Sequence, residues 1–375
     1  MNSALRMIRI PLSYNSINTS ALCSILEQYQ GVHHNQIIQD FEDQLAKEVG
    51  AAYAVAVNSG TAAIHLALLV LGVKPNDLVI APTFTYVATI NPVFYVGANP
   101  VLIDSEQDTW NMHPELLEKA LEELSNLKKL PKAIVIVHTY GTPASITEIL
   151  KMADRFGVPV IEDAAESLGA TYKGKSVGTF GKLGIFSFNN NKSVTGFGGG
   201  AIVTNNEELA KRVRFLASQA RENFPYYEHQ KVGFNYSMNP LAAAYSMSQL
   251  LDLKKFTNKR KDIFKHYRQL FPPDFSAQRE FADVRSSRWL STFLLPEGND
   301  GVSVVSRLKE VGIETRPLWK PMHRQPLCCD CKAYLNGFSD DFFQRGICLP
   351  SGNDLDTKTQ DEVFFSTIGL VVRGY

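Results

Sequence analysis

The stretch G-I-F-S-F-N-N-N-K-S-V-T-G-F-G-G-G, from Gly184 to Gly200, predicts an apolar strand followed by a polar turn that carries one lysine, Lys192. A glycine cluster follows the lysine, and apolar residues resume at Ala201. An amine that forms a Schiff base must be held on a stiff element and partly desolvated, so that it is neutral often enough to attack a carbonyl. The glycines would let the backbone approach a ligand closely. Taken alone, the pattern also fits a solvated lysine in a glycine-containing hairpin.

An acidic residue follows an apolar run upstream, in V-P-V-I-E-D-A-A-E-S from Val158 to Ser167. The pattern predicts that Asp163 lies at the carboxyl end of a parallel strand, where open α/β sheets bind their ligands. A Schiff-base lysine and an aspartate that can pair with a pyridinium nitrogen are the two groups that pyridoxal phosphate chemistry needs. An aspartate that closes a turn or caps a helix is the alternative interpretation of Asp163.

A third candidate element lies near the start of the chain. Residues Ala51 to Val57 predict a strand, and N-S-G-T-A-A then opens an apolar helix that runs to Leu71. This strand, turn and helix place backbone N–H groups at a helix N-terminus, which is a ready site for a phosphate. An ordinary capping serine or threonine would give the same pattern.

Strands and helices alternate along the first part of the chain, which favours a mostly parallel sheet with helices on both faces. Functional residues follow the predicted strands. The predicted strands are Ala51 to Val57, Leu78 to Pro82, Pro100 to Asp104, Ala133 to Val137 and Val158 to Glu162; the predicted helices are Thr19 to Val49, Pro114 to Leu127, Ile146 to Phe156 and Glu207 to Glu222.

The chain is long enough for a second domain. We expect residues 1–254 to form a large domain that begins with a helical segment, and residues 255–375 to form a smaller α/β domain. Strands are predicted in the smaller domain near Ser291 to Leu295 and Ile313 to Arg316.

Composition excludes several function classes. The chain has 38 basic and 38 acidic residues, which gives no electrostatic argument for nucleic acid or an anionic membrane. Met1 to Pro11 lacks a leader's apolar core, and no apolar run reaches the roughly twenty residues that span a bilayer, so we expect a cytoplasmic protein.

Three of the five cysteines form C-C-D-C at 328–331 without a second pair of ligands at zinc-like spacing. Reduced thiols are the simpler interpretation, and a metal site is the alternative.

Several motifs occur in one order over nearly the whole chain: N-S-G-T-A-A-I-H-L-A-L, V-I-E-D-A-A-E-S-L-G, F-S-F-x-x-x-K, G-F-N-Y and R-P-L-W-K-P-M-H. With these motifs the chain resembles the DegT/DnrJ/StrS family of sugar aminotransferases. The resemblance implies fold-type I, the aspartate aminotransferase-like α/β fold, with pyridoxal 5′-phosphate as cofactor and nucleotide-linked keto sugars as substrates. F-N-x-N-K, G-G-G and R-G-I-C-L-P-S-G look most like the UDP-N-acetylbacillosamine transaminases.

The resemblance also implies roles for single residues. Lys192 matches the lysine that bonds to the cofactor, and Asp163 the partner of the pyridine nitrogen. The remaining matches are Glu166 near the cofactor's 3′ hydroxyl, Gly60, Thr61 and Ser187 at its phosphate, Tyr86 stacked on its ring, Asn235 at the phosphate of the neighbouring subunit, and His323, Arg316 and Tyr86 at the nucleotide sugar. Asn235 closing a turn of its own chain is the alternative to a homodimer with shared active sites.

These matches imply an aminotransferase for surface glycan biosynthesis that moves an amino group, by resemblance from glutamate, to C4 of a UDP-4-keto-6-deoxy-N-acetylhexosamine. Asp163 keeps the pyridine nitrogen protonated, and Lys192 moves a proton once it is free. Two alternatives stay open, a C3-aminotransferase for a dTDP-keto sugar and a catalytically silent regulator or scaffold. Family members that remove oxygen have histidine at the lysine position, so Lys192 favours amine transfer.

The chain departs from the family pattern at a few positions. Ser237 stands where the family usually has an arginine, in N-Y-S-M. Gly196 and Phe197 replace a threonine and a serine of the bacillosamine subgroup, and H-H-N-Q at 33–36 replaces an early G-P-x-V element. These departures concern the pocket for the sugar and the amino donor more than the cofactor.

Overall fold

The computed structural model describes residues 8–13 and 18–371, and its centre is one large sheet between layers of helices. The prediction for Met1 to Pro11 lies partly outside this range. The helices are α1 (Thr19–Gln28), α2 (His34–Val49), α3 (Gly60–Val70), α4 (Asn91–Tyr95), α5 (Pro114–Asn126), α6 (Ile146–Phe156), α7 (Glu207–Ala217), α8 (Pro240–Leu250), α9 (Leu253–Leu270), α10 (Gly301–Glu310), α11 (Phe338–Arg345) and α12 (Thr357–Val371).

The strands form one large sheet and two small ones. They are β1 (Tyr53–Val57), β2 (Leu78–Pro82), β3 (Asn99–Ile103), β4 (Ala133–Val137), β5 (Val160–Asp163), β6 (Thr171–Tyr172), β7 (Lys175–Ser176), β8 (Leu183–Ser187), β9 (Gly200–Thr204), β10 (Val284–Arg285), β11 (Ser291–Leu294), β12 (Arg316–Pro317), β13 (Lys332–Tyr334) and β14 (Gly346–Leu349). The large sheet has the order β1-β9-β8-β5-β4-β2-β3-β13, and only β9 runs antiparallel to its neighbours.

Both faces of the large sheet are buried, as the predicted doubly covered sheet requires. Along β4, Ile134 and Ile136 pack in one apolar cluster with α2, α5, α6 and α8. Ala133 and Val135 point to the other face and pack with α3 and α7. The two buried faces confirm the predicted α/β architecture. The parallel pairing of β3, β2, β4, β5 and β8 brings the carboxyl ends of these strands to one edge of the sheet.

Residues after 254 build a further apolar cluster, away from the two that cover the sheet, but they also extend the large sheet. Ile263, Phe293 and Ile347 pack together there, and Ile10 from the start of the chain joins them. Lys332 of β13, however, pairs in parallel with Val101 of β3 at the edge of the large sheet. The division at residue 254 stays a prediction.

Some predicted boundaries were wrong. The helix predicted to reach Glu222 ends at Ala217, because Ser218 Oγ donates to a carbonyl of the last turn and the chain passes through left-handed Gln219 and Ala220. The strand predicted from Val158 begins at Val160 and includes Asp163, which pairs with Val137 and Ile185 on its two sides. The strand predicted from Ile313 is the two-residue β12.

Candidate active site

A cavity of about 760 Å³ opens at the carboxyl ends of the parallel strands. The large sheet forms its floor, and Ser13 from the start of the chain and Trp289 and Arg316 from its second half form a wall. The structure brings most of the predicted site residues to this cavity: Gly60, Thr61, Tyr86, Asp163, Glu166, Ser187, Lys192 and Arg316.

Lys192 lies in the turn five residues after β8 ends at Ser187, and its side chain is only 13% exposed. Its Nζ is 3.4 Å from Glu166 Oε1 and 3.9 Å from the ring centroid of Trp289. The strand therefore positions the turn, and the turn positions the amine between a carboxylate and an indole. This is the partly desolvated setting that the sequence predicted for a reactive amine.

Asp163 is the last residue of β5 and is buried. Its Oδ2 accepts a hydrogen bond of 2.7 Å from Thr89 Oγ1, and its Oδ1 accepts one of 3.2 Å from the Ala165 N–H. Burial raises the pKa of this carboxyl, and the two hydrogen bonds oppose the shift. A buried carboxylate at the cavity floor suits a protonated ring nitrogen, because the positive charge of that nitrogen would stabilise the ionised form of the carboxyl.

Glu166 was predicted near a cofactor hydroxyl, and the structure places it beside Lys192. Its Oε2 accepts a hydrogen bond of 2.8 Å from the backbone N–H of Tyr140. Burial raises the pKa of this carboxyl to about 7, although the Lys192 charge opposes the shift. Tyr140 has φ of 54°, a strained conformation for a bulky residue, at the turn that aims its N–H at Glu166.

The predicted phosphate cradle lies between α3 and the glycine run. Ser59 caps α3 by accepting a hydrogen bond of 3.1 Å from the Ala62 N–H, so the first turn of the helix opens on the cavity at Gly60 and Thr61. A Cβ on Gly200 would be 2.4 Å from the Ser59 carbonyl carbon, a distance no side chain tolerates. The close backbones and the helix N-terminus fit a phosphate group.

Aromatic side chains form part of the cavity wall. Tyr86 is 57% exposed, and its ring centroid is 6.3 Å from that of Trp319. Trp319 stacks at 4.4 Å on Tyr140, which in turn lies parallel to Trp289. In the sequence, Trp319 stands within the motif R-P-L-W-K-P-M-H, whereas Tyr140 and Trp289 were not among the predicted site residues.

Two predicted site residues lie outside the residues that line the cavity. Asn235 is exposed, and its backbone carbonyl accepts a hydrogen bond of 3.3 Å from Asn58 Nδ2. His323 Nδ1 is 2.8 Å from Thr83 Oγ1, and its Nε2 is 3.4 Å from Asp340. Thr83 follows β2, so His323 lies beside the segment that carries Tyr86 rather than on the cavity surface.

Two of the departures from the family pattern, Gly196 and Phe197, have local causes. A Cβ on Gly196 would be 2.4 Å from Ser246 Oγ and 2.7 Å from the Ala242 carbonyl oxygen, so a threonine does not fit against α8. Phe197 has φ of 61°, and its half-exposed ring stacks at 4.8 Å on Tyr245 of the same helix. Glycine and phenylalanine together therefore set how the turn after Lys192 packs on α8.

All five cysteines are free, and the described residues contain no group of three or more potential ligands that could hold a metal ion. In residues 8–13 and 18–371, no helix has the length and apolar character needed to cross a bilayer.

Comparisons with known proteins identify the class that this fold and site define. A model of the DegT/DnrJ/EryC1/StrS aminotransferase family matches residues 17–367. The chain is 48% identical over 332 residues to EpsN of Bacillus subtilis (strain 168), whose name describes a pyridoxal phosphate-dependent aminotransferase; the match covers 87% of this chain and 85% of EpsN. It is 36% identical over 314 residues to a GDP-perosamine synthase of Escherichia coli O157:H7, with 84% of each protein covered.

Solved structures point to the same family. A DegT DnrJ EryC1 StrS aminotransferase from Brucella abortus superposes with a TM-score of 0.87 at 27% identity, over 94% of this chain and 96% of that one. The chain therefore belongs to the DegT/DnrJ/EryC1/StrS aminotransferase family. This confirms the predicted fold class, the enzyme class and the cofactor: the protein is a pyridoxal phosphate-dependent aminotransferase.

The raised pKa of Glu166 predicts a pH-dependent stability of the cofactor-free protein. The carboxyl binds its proton more tightly in the folded chain, where its pKa is about 7, than in the unfolded chain, where its pKa is the ordinary 4.5. Its contribution to folding is therefore complete below pH 4.5 and is lost as the pH rises through 7. We expect the unfolding free energy of wild type, relative to Glu166→Gln, to fall by up to about 3 kcal/mol between about pH 4.5 and 8. Urea unfolding of both proteins across this range measures it, and parallel pH profiles would contradict it.

Proposed function

We propose that this enzyme transfers an amino group from an amino acid, glutamate by resemblance, to the keto group of a nucleotide-linked deoxysugar. One observation carries the proposal: Lys192, Asp163 and the helix N-terminus at Gly60 line one cavity that also has an aromatic wall. The GDP-perosamine synthase relative, 36% identical, supports a nucleotide-linked sugar as the acceptor.

The residues that would hold the cofactor follow from the site. Gly60, Thr61 and Ser187 would bind the phosphate, Asp163 the ring nitrogen, and Tyr86 the ring face. When bound, pyridoxal phosphate supplies an aldehyde that condenses with amines and a protonated ring that withdraws electrons from the attached carbon. Two observations support the fit of these residues to the cofactor. The backbone contact at Gly200 leaves no room for a Cβ beside the phosphate cradle, and Asp163 is a buried carboxylate.

Lys192 has the proton-transfer role in this proposal. As a free amine, it would take the proton from the donor Cα and later give a proton back to carbon, within the chemistry that the cofactor supplies. Glu166, 3.4 Å from the amine, would keep that amine oriented between the two carbons. Asp163 would hold the proton on the ring nitrogen throughout, because its buried carboxylate gains a cationic partner there.

We further propose that the acceptor is C4 of a UDP-4-keto-6-deoxy-N-acetylhexosamine, as the bacillosamine-like motifs imply, for a surface glycan made in the cytoplasm. Arg316 would bind the nucleotide sugar, because it lies at the cavity mouth with an exposed side chain held by Glu314 at 2.6 Å. His323 would support the substrate segment through Thr83. The alternative is C3 of a dTDP-keto sugar; retention of Lys192 and Asp163 disfavours a silent scaffold.

Incubation with a panel of keto sugars tests the function. We expect glutamate plus the UDP-4-keto-6-deoxy-N-acetylhexosamine to give the amino sugar, detected by mass spectrometry, and GDP- and dTDP-linked keto sugars to react more slowly. Lys192→Ala should lower the rate by about 10³-fold or more, because it removes the proton-transfer amine. Lys182→Ala, which changes an exposed lysine just before β8, is the matched control and should keep wild-type activity. Full activity of Lys192→Ala would contradict the proposed function.

We also propose a homodimer in which Asn235 completes the partner's phosphate site. Asn235 is exposed and does not line the cavity of its own chain. Its neighbours Phe234 and Tyr236 stack on each other at 5.0 Å and contact His65 of α3, which fixes the loop. Exposed apolar side chains near this loop, including Tyr227 and Val232, give a surface for a second copy.

Mixing two inactive variants tests the shared site. Lys192→Ala keeps a working Asn235, and Asn235→Glu keeps a working Lys192, so each mixed dimer holds one complete site. After subunit exchange at equal concentrations, half of the dimers are mixed and we expect about a quarter of wild-type activity. Each variant alone is the control. An absence of recovery after exchange has been verified by mass spectrometry would rule out the shared site.

A further inference from the structure

Trp289 contacts Lys192 and has no role in the proposed function. It lies between β10 and β11, is 5% exposed, and lines the cavity from the side of the second half of the chain. The motif S-S-R-W-L around it gave no signal in the sequence, because a lone tryptophan before a strand is typical of an apolar core.

The indole contacts Lys192 at both ends of the lysine. Its Nε1–H donates a hydrogen bond of 2.8 Å to the carbonyl oxygen of Asn191, the peptide bond that leads into Lys192. Its ring centroid is 3.9 Å from Lys192 Nζ. One side chain therefore fixes the backbone where the lysine begins and offers an aromatic face to the amine where it ends.

Neighbouring residues hold the indole in this position. The buried Arg260 of α9 donates a hydrogen bond of 2.5 Å to the Trp289 carbonyl oxygen. Tyr140 lies parallel to the indole, with an interplanar angle of 16° and a centroid distance of 6.3 Å. Ser13 Oγ donates a second hydrogen bond, of 3.1 Å, to the same Asn191 carbonyl. The contact with Lys192 is thus set by three separate parts of the chain.

We propose that Trp289 is a positioning residue for the amine of Lys192, and this inference rests on the proposed amine transfer. A free lysine amine on four rotatable bonds has many orientations, most of them useless for moving a proton between two carbons. The indole face limits the movement of the Lys192 amine on one side, and Glu166 limits it on another. The amine therefore stays within reach of the reacting carbons while it is not bonded to the cofactor.

Three variants separate this role from simple core packing. Trp289→Leu removes the N–H and the aromatic face, and Trp289→Phe removes the N–H and keeps a face. Trp110→Phe changes another tryptophan of the same buried apolar cluster, one that does not itself line the cavity. We expect kcat to fall about 10²-fold in Trp289→Leu and less in Trp289→Phe, because a misplaced Lys192 amine slows the proton-transfer step. The KM values for the amino donor and for the keto sugar should stay within about threefold of wild type in both variants. Trp110→Phe should keep the wild-type kcat.

A second readout does not depend on turnover. Cofactor-free protein is mixed with pyridoxal phosphate, and the rate at which Lys192 becomes attached is followed by absorbance and located by peptide mass spectrometry. We expect attachment to be at least about tenfold slower in Trp289→Leu than in Trp110→Phe, because the amine samples more orientations. Wild-type kcat and wild-type attachment rate in folded Trp289→Leu would overturn the proposal.

The outcomes can be assigned without ambiguity. If Trp289→Leu does not fold, as thermal melting would show, Trp289→Phe decides, and wild-type values of both quantities in that variant overturn the proposal. If Lys192→Ala is inert while the Trp289 variants behave as wild type, only the positioning role fails. If Lys192→Ala is active, the proposed function itself fails.

Discussion

The site depends on the close contact between the backbone of Gly200 and the peptide that joins Ser59 to Gly60. β9 begins at Gly200 and pairs with β8 on one side and β1 on the other, so it connects the strand before Lys192 to the strand before α3. Because no Cβ separates the two backbones, the turn that carries the lysine and the first turn of the helix open on the same cavity. An amine and a phosphate site separated by about 130 residues in sequence thereby become neighbours.

Burial then sets the electrostatics of this cavity. Asp163 and Glu166 are both buried carboxyls with raised pKa values, and both lie near the single amine of Lys192. Lys192 is the cationic neighbour that these two buried acids share, and a protonated pyridine ring would bring a further positive charge beside them. The costly arrangement of buried acids is therefore an argument for a cofactor site rather than a structural ion pair.

The sequence predicted much of the fold and the chemical centre. Apolar runs that alternate with amphipathic helices indicated the parallel sheet, and Asp163 and Lys192 stood at the ends of such runs. The sequence could not predict Trp289, Tyr140 or the wall that Ser13 helps to form, because these contacts join residues about a hundred or more positions apart and leave no periodic pattern. The pairing of β13 with β3 was missed for the same reason. Some of the motif matches, such as His323, named residues that support the cavity rather than line it.

Reductive trapping of the cofactor tests the central claim most directly. Protein loaded with pyridoxal phosphate is treated with borohydride, digested, and mapped by mass spectrometry. We predict that the added pyridoxyl phosphate mass is found on Lys192 alone, with the exposed Lys182, just before β8, unmodified. Attachment at another lysine, with Lys192 unmodified in active protein, would contradict the account.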